Sequence, residues 1–290
     1  MKLFHVHKLT TTFKKMTILV LLFSSITAMA YGKIILGITG VALKNDISTL
    51  VKFKNYLREK TGLNIKLKFA RSYSTMRHLI LEDNVNVAYI CGATYVDLES
   101  SKKIELFALP TLKHQPSYYS LVIAKKGTNY KSIDDFKGKV YAMSDPESNS
   151  GSLVPRYEII KRGYDENNFF KRIIYTYDHG ESILAVLDDY AQGASVDSVI
   201  YGAFLRNHPK ARSQLRIVQK FGPYPITPIV ISKNVPKKIK NMLQKALIQM
   251  SDDKSGKKIL NAMAIDSFIK PNHLSYKKIE DVKSFLRDEK

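Results

Sequence analysis

Residues 144–157 read Ser144-Asp145-Pro146-Glu147-Ser148-Asn149-Ser150-Gly151-Ser152-Leu153-Val154-Pro155-Arg156-Tyr157. The five residues before them, 139–143, pattern as a strand, and the residues after them pattern as a helix to about Arg162. Strand, polar loop and helix in that order form the repeating unit of an α/β sheet, whose ligands sit beyond the strand ends. Ser148, Asn149, Ser150 and Gly151 fall where a helix start carries unpaired N–H groups. Free amides, short hydroxyls and the positive end of the helix dipole together make an anion site. The same residues also make an ordinary N-cap, so this stretch taken alone leaves both readings open.

The same unit recurs on either side. Upstream, apolar runs at 34–38, 66–69, 85–90 and 104–109 predict strands, separated by helical patterns such as Ile47, Leu50, Val51 and Leu57. A second series of strands is predicted at 120–124, 139–143, 173–177 and 215–221, followed by the proline-rich 222–228. The last stretch resumes the first: a strand at 229–232, then a helix opened by Pro236 with Ile239, Met242, Leu243, Ala246 and Leu247 on one face. Ser275 is expected to cap a final helix through Ile279, Val282, Phe285 and Leu286. An α/β unit placed between the halves of another predicts two lobes, each a mixed sheet flanked by helices, joined by two crossovers with a ligand cleft between them. On this reading lobe one comprises 31–122 plus 226–290, and lobe two 123–225.

Composition narrows the classes. The 290 residues hold 46 Lys+Arg against 26 Asp+Glu, a formal net charge of +20, with 44% hydrophobic residues. A mean hydropathy of −0.18 excludes a polytopic membrane protein, and the hydrophobic share excludes a disordered chain. One cysteine, Cys91, excludes an intramolecular disulfide framework. It follows the apolar run 87–90, which predicts a buried, inert thiol. In the first thirty residues Lys8, Lys14 and Lys15 precede an uncharged run at 17–28 and the small-x-small site Ala28-Met29-Ala30. That order predicts a signal peptide (1–30) cleaved near Ala30 and export to the periplasm, which argues against nucleic acid as a partner. Without those thirty residues the chain carries +16, of which 123–224, holding the serine motif, carries only +3. The surplus charge is therefore read as a solvated surface and not as the binding site.

The segment Asp145-Pro-Glu-Ser-Asn-Ser-Gly151, followed by Leu153-Val-Pro155, resembles the phosphate/phosphite/phosphonate-binding periplasmic proteins of ABC transporters, where Asp-Pro-x-Ser-Thr-Ser-Gly is usual. Further matches follow in order: Tyr73 in Ala70-Arg-Ser-Tyr-Ser74, Val87-Ala-Tyr-Ile-Cys-Gly-Ala-Thr-Tyr-Val96, Tyr118-Tyr-Ser-Leu-Val-Ile123, Asp178-His179, and Ser195-Val-Asp-Ser198. The resemblance implies a type II periplasmic-binding-protein fold that closes over its ligand. By matched position, Ser148, Asn149 and Ser150 hold anion oxygens from lobe two. His179 donates a further hydrogen bond, and Asp197 accepts from a protonated oxygen or orients a neighbour. Tyr73 and Tyr95 close the site from lobe one. The local alternatives are a helix-start cap for His179 and Asp197, and packing for the two tyrosines. Asn149 stands where threonine is usual and Ser152 where an aromatic is usual. Val199 and Thr227 stand where amine-binding relatives place carboxylates, so an aminoalkylphosphonate is disfavoured against phosphate, phosphite or a small apolar phosphonate.

No enzyme is expected. Ser150, His179 and Asp197 offer a serine, a base and an acid, but without a Gly-x-Ser-x-Gly elbow. The sequence also lacks a Walker A segment and a Gly-x-Gly-x-x-Gly fingerprint, and no cofactor or metal is predicted. Tyr118-Tyr119 resembles a paired phenolate iron site, yet neighbours on a strand point to opposite faces. The predicted partners are a small oxyanion and the membrane permease of an ABC transporter, with a membrane sensor kinase as the competing partner, for a monomeric protein.

Overall fold

A computed structural model describes residues 32–39, 47–272 and 274–289. The predicted signal segment, 1–30, lies outside the described residues. In β1 (Ile34–Ile38), Ile34, Leu36 and Ile38 are buried, as expected of a strand covered by helices on both faces. It pairs in parallel with β2 (Ile65–Phe69) and β3 (Val87–Tyr89). Helices α1 (Ile47–Thr61) and α2 (Tyr73–Leu81) make the two crossovers, and α3 (Gly92–Glu99) leads out of β3 into β4 (Ile104–Pro110). The chain then leaves this sheet.

The second sheet begins with β5 (Ser117–Lys125) and continues through β6 (Val140–Met143), β7 (Arg172–Tyr175), β8 (Gly193–Asp197) and β9 (Leu215–Pro225). Its order is β7-β6-β8-β5-β9. Strands β6, β7 and β8 run parallel, so all three end on one side. Helices α4 (Val154–Lys161), α5 (His179–Leu187) and α6 (Ser198–Asn207) follow β6, β7 and β8 respectively. The crossover expected near residue 122 falls inside β5, whose pairing with β9 runs from Ser117↔Pro225 to Lys125↔Leu215. The polar Ser117-Tyr-Tyr-Ser120 is already strand, because β9 covers it.

After β9 the chain returns. β10 (Ile229–Ser232) inserts antiparallel between β3 and β4, and β11 (Phe268–Ile269) closes the edge, giving β11-β4-β10-β3-β1-β2. Helix α7 (Lys237–Ile248) buries Ile239, Leu243, Ala246 and Leu247, the face its spacing predicts, and α8 (Lys254–Ala262) packs beside α1. Helix α9 (Lys277–Asp288) starts without a side-chain cap at Tyr276, although Ser275 accepts the Lys277 N–H. It rests on both lobes: Ile279 packs close to Gly92 of α3, while Phe285 meets Tyr157 of α4 at 4.9 Å.

Gly193 shows how closely the second sheet is packed. A Cβ there would lie 2.3 Å from the buried Phe136 ring. Gly193→Ala is expected to lower stability by about 1–3 kcal/mol through overpacking, read as a fall in denaturation midpoint with an unchanged denaturant slope. A neutral result would show that the Phe136 ring yields without cost.

Candidate functional site

Among the described residues, five strand-to-helix junctions meet between the sheets. From the first sheet come β2 to α2 and β3 to α3; from the second come β6 to α4, β7 to α5 and β8 to α6. Each delivers a helix N-terminus, with its unpaired N–H groups, to the interlobe space.

The serine motif forms the most elaborate of these junctions. Ser148 caps the turn with extended backbone, and its hydroxyl accepts the Gly151 N–H at 3.2 Å. The turn over Asn149–Leu153 is wide: the Leu153 N–H reaches the Ser148 carbonyl at 2.9 Å, an i to i+5 bond. Such π-type turns spread the backbone and recur at functional sites. Gly151 is required here, since a Cβ would lie 2.0 Å from the Ser144 hydroxyl and 3.0 Å from the His179 ring. Ser148, Asn149 and Ser150 are buried, and the Ser120 hydroxyl holds the Ser150 carbonyl at 2.7 Å.

His179 is not the helix cap. Asp178 fills that role, accepting from the Gly180 and Glu181 N–H groups. The His179 ring is buried between the motif and β8. Its Nδ1 accepts the Asp197 N–H at 3.3 Å, which leaves the proton on Nε2, facing the Ser148 hydroxyl at 3.4 Å. Burial lowers its pKa to about 3, so it is a neutral donor. Asp197 does cap a helix: one carboxyl oxygen accepts from Val199 and Ile200. Burial nevertheless raises its pKa to about 7, against the opposing effect of those two bonds. Its charge also raises the pKa values of Tyr73, Tyr89, Tyr118 and Cys91, so the carboxyl lies near all four.

Lobe one supplies Tyr73, the first residue of α2. Its hydroxyl is fully buried beside Ser148 but outside hydrogen-bonding geometry, and has no partner. Its own N–H donates across the cleft to Asp145 at 2.9 Å. Tyr95 behaves differently. Its hydroxyl donates to Glu99 at 2.8 Å, one helical turn along α3, and its ring packs on Tyr276. The structure therefore does not bring the Tyr95 hydroxyl to the chamber, because the i,i+4 carboxylate on its own helix claims it.

Groups outside the predicted set stand nearer. The Thr94 hydroxyl is buried without a partner, as are the Thr39 and Ser144 hydroxyls and the Asn149 carbonyl oxygen. Tyr118 accepts from the Asn149 amide at 2.9 Å, while Tyr119 is exposed on the opposite face of β5. Cys91, the N-cap of α3, accepts the Asn149 backbone N–H at 3.4 Å. The signal that marks Cys91 and Thr94 is position: they follow β3 as the serine motif follows β6. Thr227 is buried and donates to the Tyr89 hydroxyl, and Val199 is buried at the start of α6. At the rim, Arg77 bridges Asp97 of lobe one and Glu147 of lobe two at 3.1 and 2.9 Å. Among the described residues no group of three or more His, Cys, Asp or Glu side chains could hold a metal ion.

Two sheets that bring helix N-termini and unpartnered hydroxyls together where they meet have the arrangement of a two-lobed binding protein. The chain belongs to the family described as ABC transporter, phosphonate, periplasmic substrate-binding protein, whose model matches residues 44–276. It is 22% identical over 196 residues to the phosphonates-binding periplasmic protein of Escherichia coli (strain K12), a match covering 66% of this chain and 58% of that protein. The chain thus spans less than two thirds of that relative's length. A binding-protein component of a Pseudomonas aeruginosa ABC phosphonate transporter shares the fold with a TM-score of 0.80 at 24% identity, over 88% of this chain and 87% of that one. A Prochlorococcus marinus protein solved with methylphosphonate gives 0.77 at 18% identity, over 88% and 98%. The fold is the type II periplasmic-binding-protein fold.

The two buried titrating groups set opposite pH slopes. Asp197, raised from 3.8 to about 7, contributes stability that is full at low pH and lost as pH rises through about 7. His179, lowered from 6.5 to about 3, contributes stability that is full above 6.5 and lost as pH falls towards 3. Between pH ~4 and ~6.5 the two offset each other, each at up to about 1.4 kcal/mol per pH unit. Thermal unfolding of Asp197→Asn is expected to show stability rising with pH across this window, and that of His179→Asn to show it falling. Variants that both keep the wild-type profile would contradict this placement.

Proposed function

We propose that the protein is exported to the periplasm, binds a small oxyanion between its lobes, and delivers it to the membrane permease of an ABC transporter. The observation that carries this reading is a set of buried, unpartnered hydroxyls: those of Tyr73 and Ser144 beside the serine motif, and that of Thr94 in the helix start at Cys91. A buried hydroxyl without a partner costs free energy that a ligand can return. The donors are neutral, as suits reversible capture of phosphate, phosphite or a small phosphonate. Ser148, Asn149 and Ser150 would take its oxygens from lobe two, Nε2–H of His179 would add a donor, and Tyr73 with Thr94 would close from lobe one.

Asp197 sharpens the chemistry. A carboxyl titrating near 7 beside an anion leaves one proton to share, donated by Asp197 to a dianion or accepted from a protonated ligand oxygen. The ligand bridges both lobes and stabilises the closed form by its differential affinity for it. An ammonium-bearing ligand fits less well, since Val199 offers no charge and the Thr227 hydroxyl is engaged by Tyr89. The family membership and the signal-like residues 1–30 support export and a permease partner.

Calorimetry of residues 31–290 against phosphate, phosphite, methylphosphonate and 2-aminoethylphosphonate tests this. At least one of the first three is expected to bind at about micromolar Kd or tighter, a free energy near −8 kcal/mol, with 2-aminoethylphosphonate weakest. Ser148→Ala is expected to weaken binding by about tenfold, the worth of one hydrogen bond to a charged group. Silence against all four ligands would overturn the reading, and 2-aminoethylphosphonate binding tightest would overturn the argument from Val199 and Thr227.

A further inference from the structure

We propose that Cys91 is a specificity-determining residue of this site: its thiol walls the chamber opposite Asn149 and limits the substituent a bound oxyanion can carry. The inference rests on the oxyanion reading above and goes beyond it, since nothing in the serine motif says what bounds the ligand on the far side. Cys91 sits at the end of β3 as the N-cap of α3, yet makes no side-chain capping bond to its own helix. Its sulfur accepts the backbone N–H of Asn149, the middle residue of the motif, from the other lobe at 3.4 Å, with the Ala93 and Thr94 N–H groups of α3 also close to it. Two helix N-termini therefore face each other with one sulfur atom between them.

The surroundings point to a ligand. The Thr94 hydroxyl, three residues along α3, and the Tyr73 hydroxyl and Asn149 carbonyl oxygen are all buried and without hydrogen-bond partners. The phenols of Tyr73, Tyr118 and Tyr276 lie within electrostatic reach of the sulfur. Burial pushes the thiol up to about 11, so it stands there as a neutral spacer and not as a thiolate that would repel an anion. Sulfur is a weak acceptor, so the Asn149 N–H it holds is readily ceded to a ligand oxygen.

Size follows from the same contact. With the lobes touching at the sulfur, a smaller side chain opens the chamber by one heavy atom and frees the Asn149 N–H, while a larger one holds the lobes apart. Discrimination by about one methylene is worth roughly tenfold or more in affinity.

Calorimetry of wild type, Cys91→Ala and Cys91→Leu against phosphate, methylphosphonate and propylphosphonate tests the assignment, with N-ethylmaleimide labelling of the wild type as an independent readout. Cys91→Ala is expected to shift the ratio of propylphosphonate to methylphosphonate affinity by about fivefold or more towards the larger ligand. Cys91→Leu is expected to weaken all three by about tenfold or more, and saturating ligand to slow labelling of Cys91 by a similar factor. An unmoved ratio in a Cys91→Ala protein that still binds, or equal labelling with and without ligand, would overturn the role of Cys91 and leave the oxyanion reading standing. A wild type that binds none of the three would overturn the oxyanion reading itself.

Discussion

Five helix N-termini among the described residues, pointed at one interlobe space, impose the constraint from which the rest of the molecule follows. Each leaves N–H groups that the helix itself cannot satisfy, and together they make a positive potential without a buried cation. Only parallel strands whose ends lie on one side can aim so many helices at one place, which is why β1–β3 and β6–β8 are parallel while the crossover strands are not. The side chains gathered there are short hydroxyls, an amide, phenols, a neutral imidazole and a thiol. Asp197 and Asp145 are the acids near them, and the burial that raises the Asp197 pKa makes a shared proton the natural way to accommodate it beside an anion.

The lobes are held by contacts of two kinds. Near the chamber the Tyr73 N–H reaches Asp145, itself raised in pKa by burial, and the Asn149 N–H reaches Cys91. At the rim, Arg77 spans the lobes through Glu147, and Arg71 lies over the Tyr177 ring. The Arg77 ion pairs are about a quarter exposed and Arg71 is exposed, so each is worth little on its own. They suit a joint that must open. Helix α9, seated on α3 and α4 together, gives that joint an apolar backing through Phe285 and Tyr157.

Much of this was legible in the residues. Alternating apolar runs gave the strands, and the return of the pattern after Pro228 gave the two-lobed order. The motif at 144–157 marked the junction that carries the wide turn. What escaped did so for local physical reasons. Tyr95 was matched by position, but Glu99 one turn on takes its hydroxyl. The apolar run before Cys91 predicts its burial, but the thiol is buried against the facing lobe, a contact no periodicity reveals. Thr94 hides in the same way, since an unpartnered hydroxyl is a property of its neighbours and not of its own type.

In the function proposed above, an oxyanion is held between the lobes by neutral donors at helix N-termini, despite the formal charge of +20. A crystal structure with methylphosphonate tests this most directly. The phosphonate oxygens are expected on Ser148, Ser150 and His179 from one lobe and on Tyr73 or Thr94 from the other, with no Lys or Arg nitrogen in the first coordination layer. A ligand held by lysines on the outer helices, or ion-paired in the cleft, would contradict it.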